Sequence, residues 1–140
     1  MAFLLDTHAL LFWSNQQVLS KIQLEKLDRL AQQGRLHVST VVFWEIALLI
    51  RSGRLADFNV QNWSEELQHA AGIRCLPPTI PEMLHSVALP PHHKDPFDRL
   101  MIAQALLHQM TLITKDQTIQ RYEVPVCWEG LEVLSLDYGG

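Results

Sequence analysis

The sequence predicts an α/β fold, a three-layer α/β/α sandwich around a central parallel sheet of four to five strands. Three observations carry this. Short apolar runs alternate with longer stretches of helical periodicity, the pattern of strands joined by crossover helices. The run Phe3-Leu4-Leu5 is apolar at successive positions, as expected for a strand buried on both faces of a parallel sheet. Two of the runs lead into an acid, Leu5 into Asp6 and Thr111-Leu112-Ile113-Thr114 into Lys115-Asp116. Right-handed crossovers bring the C-terminal ends of such strands to one edge, where open α/β sheets bind ligands.

Taken in order, Phe3–Leu5 is the first strand and Thr7 to Trp13 resumes at helical density. From Ser20 to Gln33, residues Ile22, Leu24, Leu27, Leu30 and Ala31 fall on roughly one helical stripe, which Gly34 stops. Leu36-His37-Val38-Ser39 is a second strand, and Ser39 or Thr40 can cap the apolar helix through Val42, Phe43, Trp44, Ile46, Leu48 and Leu49. Trp63 to Ala71 forms a further helix closed by Gly72, Ile73–Leu76 a third strand, and Ile80 to Val87 a small helix. Asp95 before Pro96 reads as an N-cap with proline at the first helical position, and the helix runs on through Met101, Ile102, Ala105 and Leu106. After the strand at Thr111–Thr114, Thr118 to Tyr122 can form a helical turn and Val124-Pro125-Val126 a linking segment. Leu131 to Leu136 reads as a last edge strand.

At 140 residues, 48% hydrophobic and 19% charged, the chain reads as one globular domain over residues 1–140; disorder and fibrous repeats are excluded. The longest apolar run, Val41 to Ile50, contains Glu45 and is too short to span a bilayer, and no basic segment precedes Phe3. These features predict a soluble, cytoplasmic protein. Cys75 and Cys127 lack partners at metal-ligand spacing, so they read as free thiols in a reducing compartment. A net charge of −4 argues against a protein that simply coats nucleic acid, and fits an acid cluster neutralised by metal.

Asp6 and Asp116 share the predicted sheet edge. Glu45 is the one charge inside an apolar helical stretch, so it is either the wet face of that helix or a cation ligand. Asp98 sits at the third position of the helix that starts after Asp95, where its charge favours the helix dipole and its side chain stands at the rim of the core. Four converging carboxylates raise one another's pKa unless a cation intervenes, and oxygen-only ligands favour Mg²⁺ or Mn²⁺ over zinc.

Leu4-Leu5-Asp6-Thr7-His8-Ala9-Leu10-Leu11, the helix with Trp44-Glu45-Ile46, the segment Lys94-Asp95-Pro96-Phe97-Asp98-Arg99-Leu100-Met101-Ile102-Ala103-Gln104-Ala105, and Leu112-Ile113-Thr114-Lys115-Asp116 together resemble the PIN-domain ribonucleases. The resemblance is to the VapC-like toxins of bacterial toxin–antitoxin pairs, and it covers nearly the whole chain. It implies a PIN-like fold and a metal-dependent endoribonuclease whose acidic centre is Asp6, Glu45, Asp98 and Asp116, holding Mg²⁺ or Mn²⁺. Thr7 and Thr114 resemble the family's supporting hydroxyl positions, and Asp95 is carried as a cap or supporting group. The implied partners are an RNA substrate, a small antitoxin protein and a second copy of the chain in a homodimer. Trp13, Trp44 and Trp63 are not all assigned to the core by the sequence; any that are exposed favour that association and any that are buried do not.

Lys94, Arg99, Lys115 and Arg121 are either solvated surface charge or phosphate contacts, and Lys94, Arg99 and Lys115 are assigned to substrate binding. The seven histidines, His92 and His93 included, show no ligand spacing and read as solvated or core-edge groups. Two rivals remain. A dehalogenase-type phosphatase would need a second acid two residues after Asp6, where His8 stands. A catalytically idle PIN domain that only binds RNA or protein would not need the complete acid set.

Overall fold

In the computed structural model, which describes residues 1–133, five strands form one parallel sheet in the order β3-β2-β1-β4-β5. They are β1 (Phe3–Leu5), β2 (Leu36–Ser39), β3 (Arg74–Leu76), β4 (Thr111–Ile113) and β5 (Val126–Cys127). Phe3, Leu4 and Leu5 are each fully buried. Successive strand side chains point to opposite faces, so the sheet is covered on both sides. The cover is six helices, α1 (Thr7–Asn15), α2 (Lys21–Gln32), α3 (Val41–Arg51), α4 (Val60–His69), α5 (Ile80–Ala88) and α6 (Pro96–His108). The α/β/α architecture expected from the sequence is therefore the one observed.

The chain steps outward from β1 through β2 to β3, then returns to place β4 on the other side of β1. Leu5 is in register with Val38 on one side and Ile113 on the other, so Asp6 and Thr114 leave the sheet side by side. Strand order reverses between β1 and β4, which opens a crevice at their C-terminal ends, the position where doubly wound sheets bind ligands.

Local chemistry explains the helix boundaries near this crevice. Asp6 caps α1, its Oδ1 accepting from the Ala9 amide at 2.7 Å. Asp95 caps α6 through the Phe97 amide at 2.8 Å, with Pro96 at the first helical position. α2 and α5 begin with capping boxes, Ser20 with Gln23 and Thr79 with Glu82. Gly72 is required: its φ is +83°, and a Cβ there would lie 2.8 Å from the Ala31 carbonyl oxygen.

Three expectations are corrected. Helix α4 starts at Val60, capped by Asn59, ahead of the expected Trp63. At the start of α3, Thr40 makes no side-chain cap, and only Ser39 Oγ accepts from the Val41 amide, at 3.4 Å. The fifth strand is Val126–Cys127 and not Leu131–Leu136; Leu131 is buried in a 3₁₀ turn, Glu129–Val133, and residues 134–136 lie outside the described residues. Pro125 precedes this short edge strand and its carbonyl accepts from Leu112 at 2.8 Å, so the missing proline N–H costs no ladder bond.

Candidate metal centre

Asp6 stands at the crevice, held from two sides. Beyond the Ala9 amide on Oδ1, its Oδ2 accepts from the Thr114 hydroxyl at the end of β4. Thr7, the next residue, donates its hydroxyl to Glu45 Oε1 at 2.5 Å, drawing the acid of α3 toward the start of α1. Asp116 is fixed by its own loop: its amide donates to Thr114 Oγ1 at 3.0 Å and its Oδ1 accepts from Thr118 at 2.8 Å. Asp98 lies in the first turn of α6.

These elements bring Asp6, Glu45, Asp98 and Asp116, with Asp95, into one hollow of about 410 Å³ that His8, Phe12, His93 and Lys115 also line. Four other hollows among the described residues hold at most two carboxylates each. Larger size elsewhere therefore does not move the chemistry away from this one.

The electrostatics record the crowding. Burial, then the charges of Asp95, Glu45 and Asp6, push Asp98 up to about 7, against the opposing pull of His93. Burial also raises Asp6, although the Thr114 and Ala9 hydrogen bonds work the other way. Glu45 is raised by burial and by Asp95, with the Thr7 bond opposing. For Asp116 burial is outweighed by the hydrogen bonds from His93 and from the Thr118 amide, and its carboxyl lies below the usual range. Three acids that resist ionisation together with one that does not form a donor set that a divalent cation would stabilise. Carboxylate oxygens suit Mg²⁺ or Mn²⁺, so the residues present fit such an ion.

Two assignments made from sequence change places. Arg99, expected at the phosphate, points into its own loop: Nη1 donates to the carbonyls of Pro90 (2.9 Å) and His93 (3.0 Å), and Nη2 to those of Ser86 (2.8 Å), Val87 (3.3 Å) and Leu89 (2.8 Å). It clamps the segment between α5 and α6 and does not line the hollow. His93, read as a bystander, has its Nε2 3.1 Å from Asp98 Oδ2 and 3.0 Å from Asp116 Oδ2. With Asp98 and Asp116 it forms a group of three donors close enough to surround one ion. The available signal was its place two residues before the Asp95 cap, which puts it beside the N-terminus of α6. Lys94 is exposed and outside the hollow, whereas Lys115 lines it.

Comparison with known proteins identifies the family and the fold. The family described as the PIN domain matches residues 3–125. Ribonuclease VapC22 of Mycobacterium tuberculosis (strain ATCC 25618 / H37Rv) is 28% identical over 124 residues, spanning 87% of this chain and 92% of that protein. Among solved structures, VapBC2 from Rickettsia felis, bound to a DNA fragment from its promoter, superposes with a TM-score of 0.67 at 16% identity, over 91% of this chain and 98% of the other. DNA-bound VapBC from Salmonella typhimurium gives 0.66 at 14% identity, over 91% and 97%. The structural matches speak to the fold, and the family match extends from β1 to the segment before β5, through all five acids of the hollow: the chain belongs to the PIN domain family.

Proposed function

We propose that this PIN domain is a Mg²⁺- or Mn²⁺-dependent endoribonuclease, the toxin of a toxin–antitoxin pair acting in the cytoplasm, with Asp6, Glu45, Asp98 and Asp116 holding the metal. The observation that carries the proposal is the convergence of these four carboxylates, with Asp95, in one hollow at the β1/β4 crevice. A bound divalent ion supplies an activated water and stabilises the leaving oxygen of a phosphodiester. The chain's own part is to hold the acids: Thr114 fixes Asp6, Thr7 fixes Glu45, and Asp95 caps the helix that presents Asp98. Lys115 lines the same hollow, which supports a contact with a substrate phosphate. A relative named as a ribonuclease supports the activity, and no described helix is long and apolar enough to cross a membrane.

Partners follow from the same comparison and from one surface. The similar structures include toxin–antitoxin complexes, which supports a small antitoxin partner. On α5, Ile80, Met83, Leu84 and Val87 are exposed at spacing i, i+3, i+4, i+7, while the helix packs against α6. An apolar stripe of that kind on a helix supports pairing with a second copy. The test of function is RNA cleavage by purified protein after chelation and again after Mn²⁺ is restored. Loss followed by recovery is expected; cleavage that persists in chelator, or none with Mn²⁺, would reject the proposal and leave a binding-only PIN domain.

A further inference from the structure

We infer that His93 is a positioning residue of the metal centre, one that donates a hydrogen bond to Asp116 and keeps Asp98 beside it without binding the ion itself. The inference rests on the proposed metal centre but not on the proposed action on RNA. The two carboxylates arrive from different elements, Asp98 from the first turn of α6 and Asp116 from the loop after β4. His93 Nε2 stands between them, 3.1 Å from Asp98 Oδ2 and 3.0 Å from Asp116 Oδ2. The other ring nitrogen fixes the tautomer. Nδ1 lies 3.2 Å from the Asp95 backbone nitrogen and accepts its N–H, so in the neutral ring the proton is on Nε2. A nitrogen that carries a hydrogen has no lone pair for a metal, but it can donate that hydrogen to Asp116, with the Asp98 carboxylate drawn beside it at 3.1 Å, and leave the remaining oxygen lone pairs of both to a cation.

The ring is held in that place by the backbone around it. The His93 amide donates to the Tyr122 hydroxyl at 2.8 Å, Tyr122 donates in turn to the Pro90 carbonyl at 2.7 Å, and the His93 carbonyl accepts from Arg99 at 3.0 Å. A side chain fixed by the loop, by α6 and by Tyr122 is built to orient its neighbours. Hydrogen-bond partners that orient metal-binding groups are typically worth about 10–100-fold in metal affinity.

The test is Mn²⁺ affinity, read by electron paramagnetic resonance titration on the wild type, His93→Gln and His93→Phe, with thermal unfolding measured alongside. A glutamine amide nitrogen can take the place of Nε2 and donate, whereas phenylalanine keeps the bulk and donates nothing. His93→Phe is expected to bind Mn²⁺ about 10–100-fold more weakly. His93→Gln should stay within a few-fold of wild type, and pulsed measurements on the wild type should show no ¹⁴N coupling from a directly bound imidazole. Unchanged affinity in His93→Phe, equal weakening in both variants, or a clear imidazole ¹⁴N coupling would each overturn the inference while the metal centre stands. Should His93→Phe fail to fold, the glutamine variant and the ¹⁴N measurement still decide. A wild type that binds no Mn²⁺ would reject the metal centre and the inference with it.

Discussion

The Thr114 hydroxyl donates to Asp6 Oδ2, tying the residue after β4 to the residue after β1 across the point where strand order reverses. Both side chains are buried. Replacing Thr114 by valine keeps the shape and removes the donor, leaving a buried carboxylate short of a partner. We expect Thr114→Val to lose about 1–3 kcal/mol of stability in chelator and to bind Mn²⁺ more weakly, with Thr114→Ser close to wild type. Urea denaturation of the three proteins checks this; equal stability would show that the bond matters little.

Arg99 reaches five backbone carbonyls, so its loss should register as stability and not as substrate affinity. A lysine cannot replace a planar fork that donates from two nitrogens. Arg99→Lys is expected to cost at least about 1 kcal/mol in denaturation. The salt dependence of RNA binding should stay the same, since no phosphate contact is removed. A changed salt slope at unchanged stability would restore Arg99 to the substrate.

The acid edge, most helices and the parallel sheet were legible in the sequence because they depend on local periodicity, caps and the position of acids after apolar strands. His93 and Arg99 were not, for a shared reason. Each is defined by a partner distant in the chain or by backbone carbonyls that no side-chain pattern displays. Read as a charge, Arg99 suggests phosphate; only the fold of the 86–93 segment turns it inward. β5 has two residues, too few to show a period, whereas the apolar Leu131 that suggested a strand is buried in a 3₁₀ turn.

Asp98 gives a pH dependence with a definite sign. Its folded pKa, about 7, lies above its ordinary 3.8, so between those values the folded state keeps a proton that the unfolded state releases. Stability in chelator should therefore fall as pH rises through that window and level off above about 7. Asp6 and Glu45, also raised, add to the same slope. Thermal unfolding from pH 5 to 8 in chelator should show the decline, reduced in Asp98→Asn and reversed by Mn²⁺, which binds the ionised form. A stability that rises over this range in the wild type would contradict the assignment.

The α5 stripe makes an assembly prediction. Leu84 is 66% exposed and Val87 79%, so a charge at either should do little to the fold of one chain. Leu84→Glu is expected to convert a dimer to a monomer in light scattering at unchanged far-ultraviolet circular dichroism. A wild type that is monomeric at high concentration would remove the homodimer.

The central claim is that the hollow at the β1/β4 crevice is a metal centre that cleaves RNA, and Asp6 is its most buried acid among those with a described exposure, at 5%. Asp6→Asn keeps the size of the side chain and its oxygen for the Ala9 cap while removing the charge. The decisive measurement is cleavage of single-stranded RNA in saturating Mn²⁺ by wild type and by Asp6→Asn whose fold is verified. The account predicts a drop of at least about 100-fold, the scale on which a site that polarises water depends on its metal. A folded Asp6→Asn protein that cleaves at near wild-type rate would contradict it.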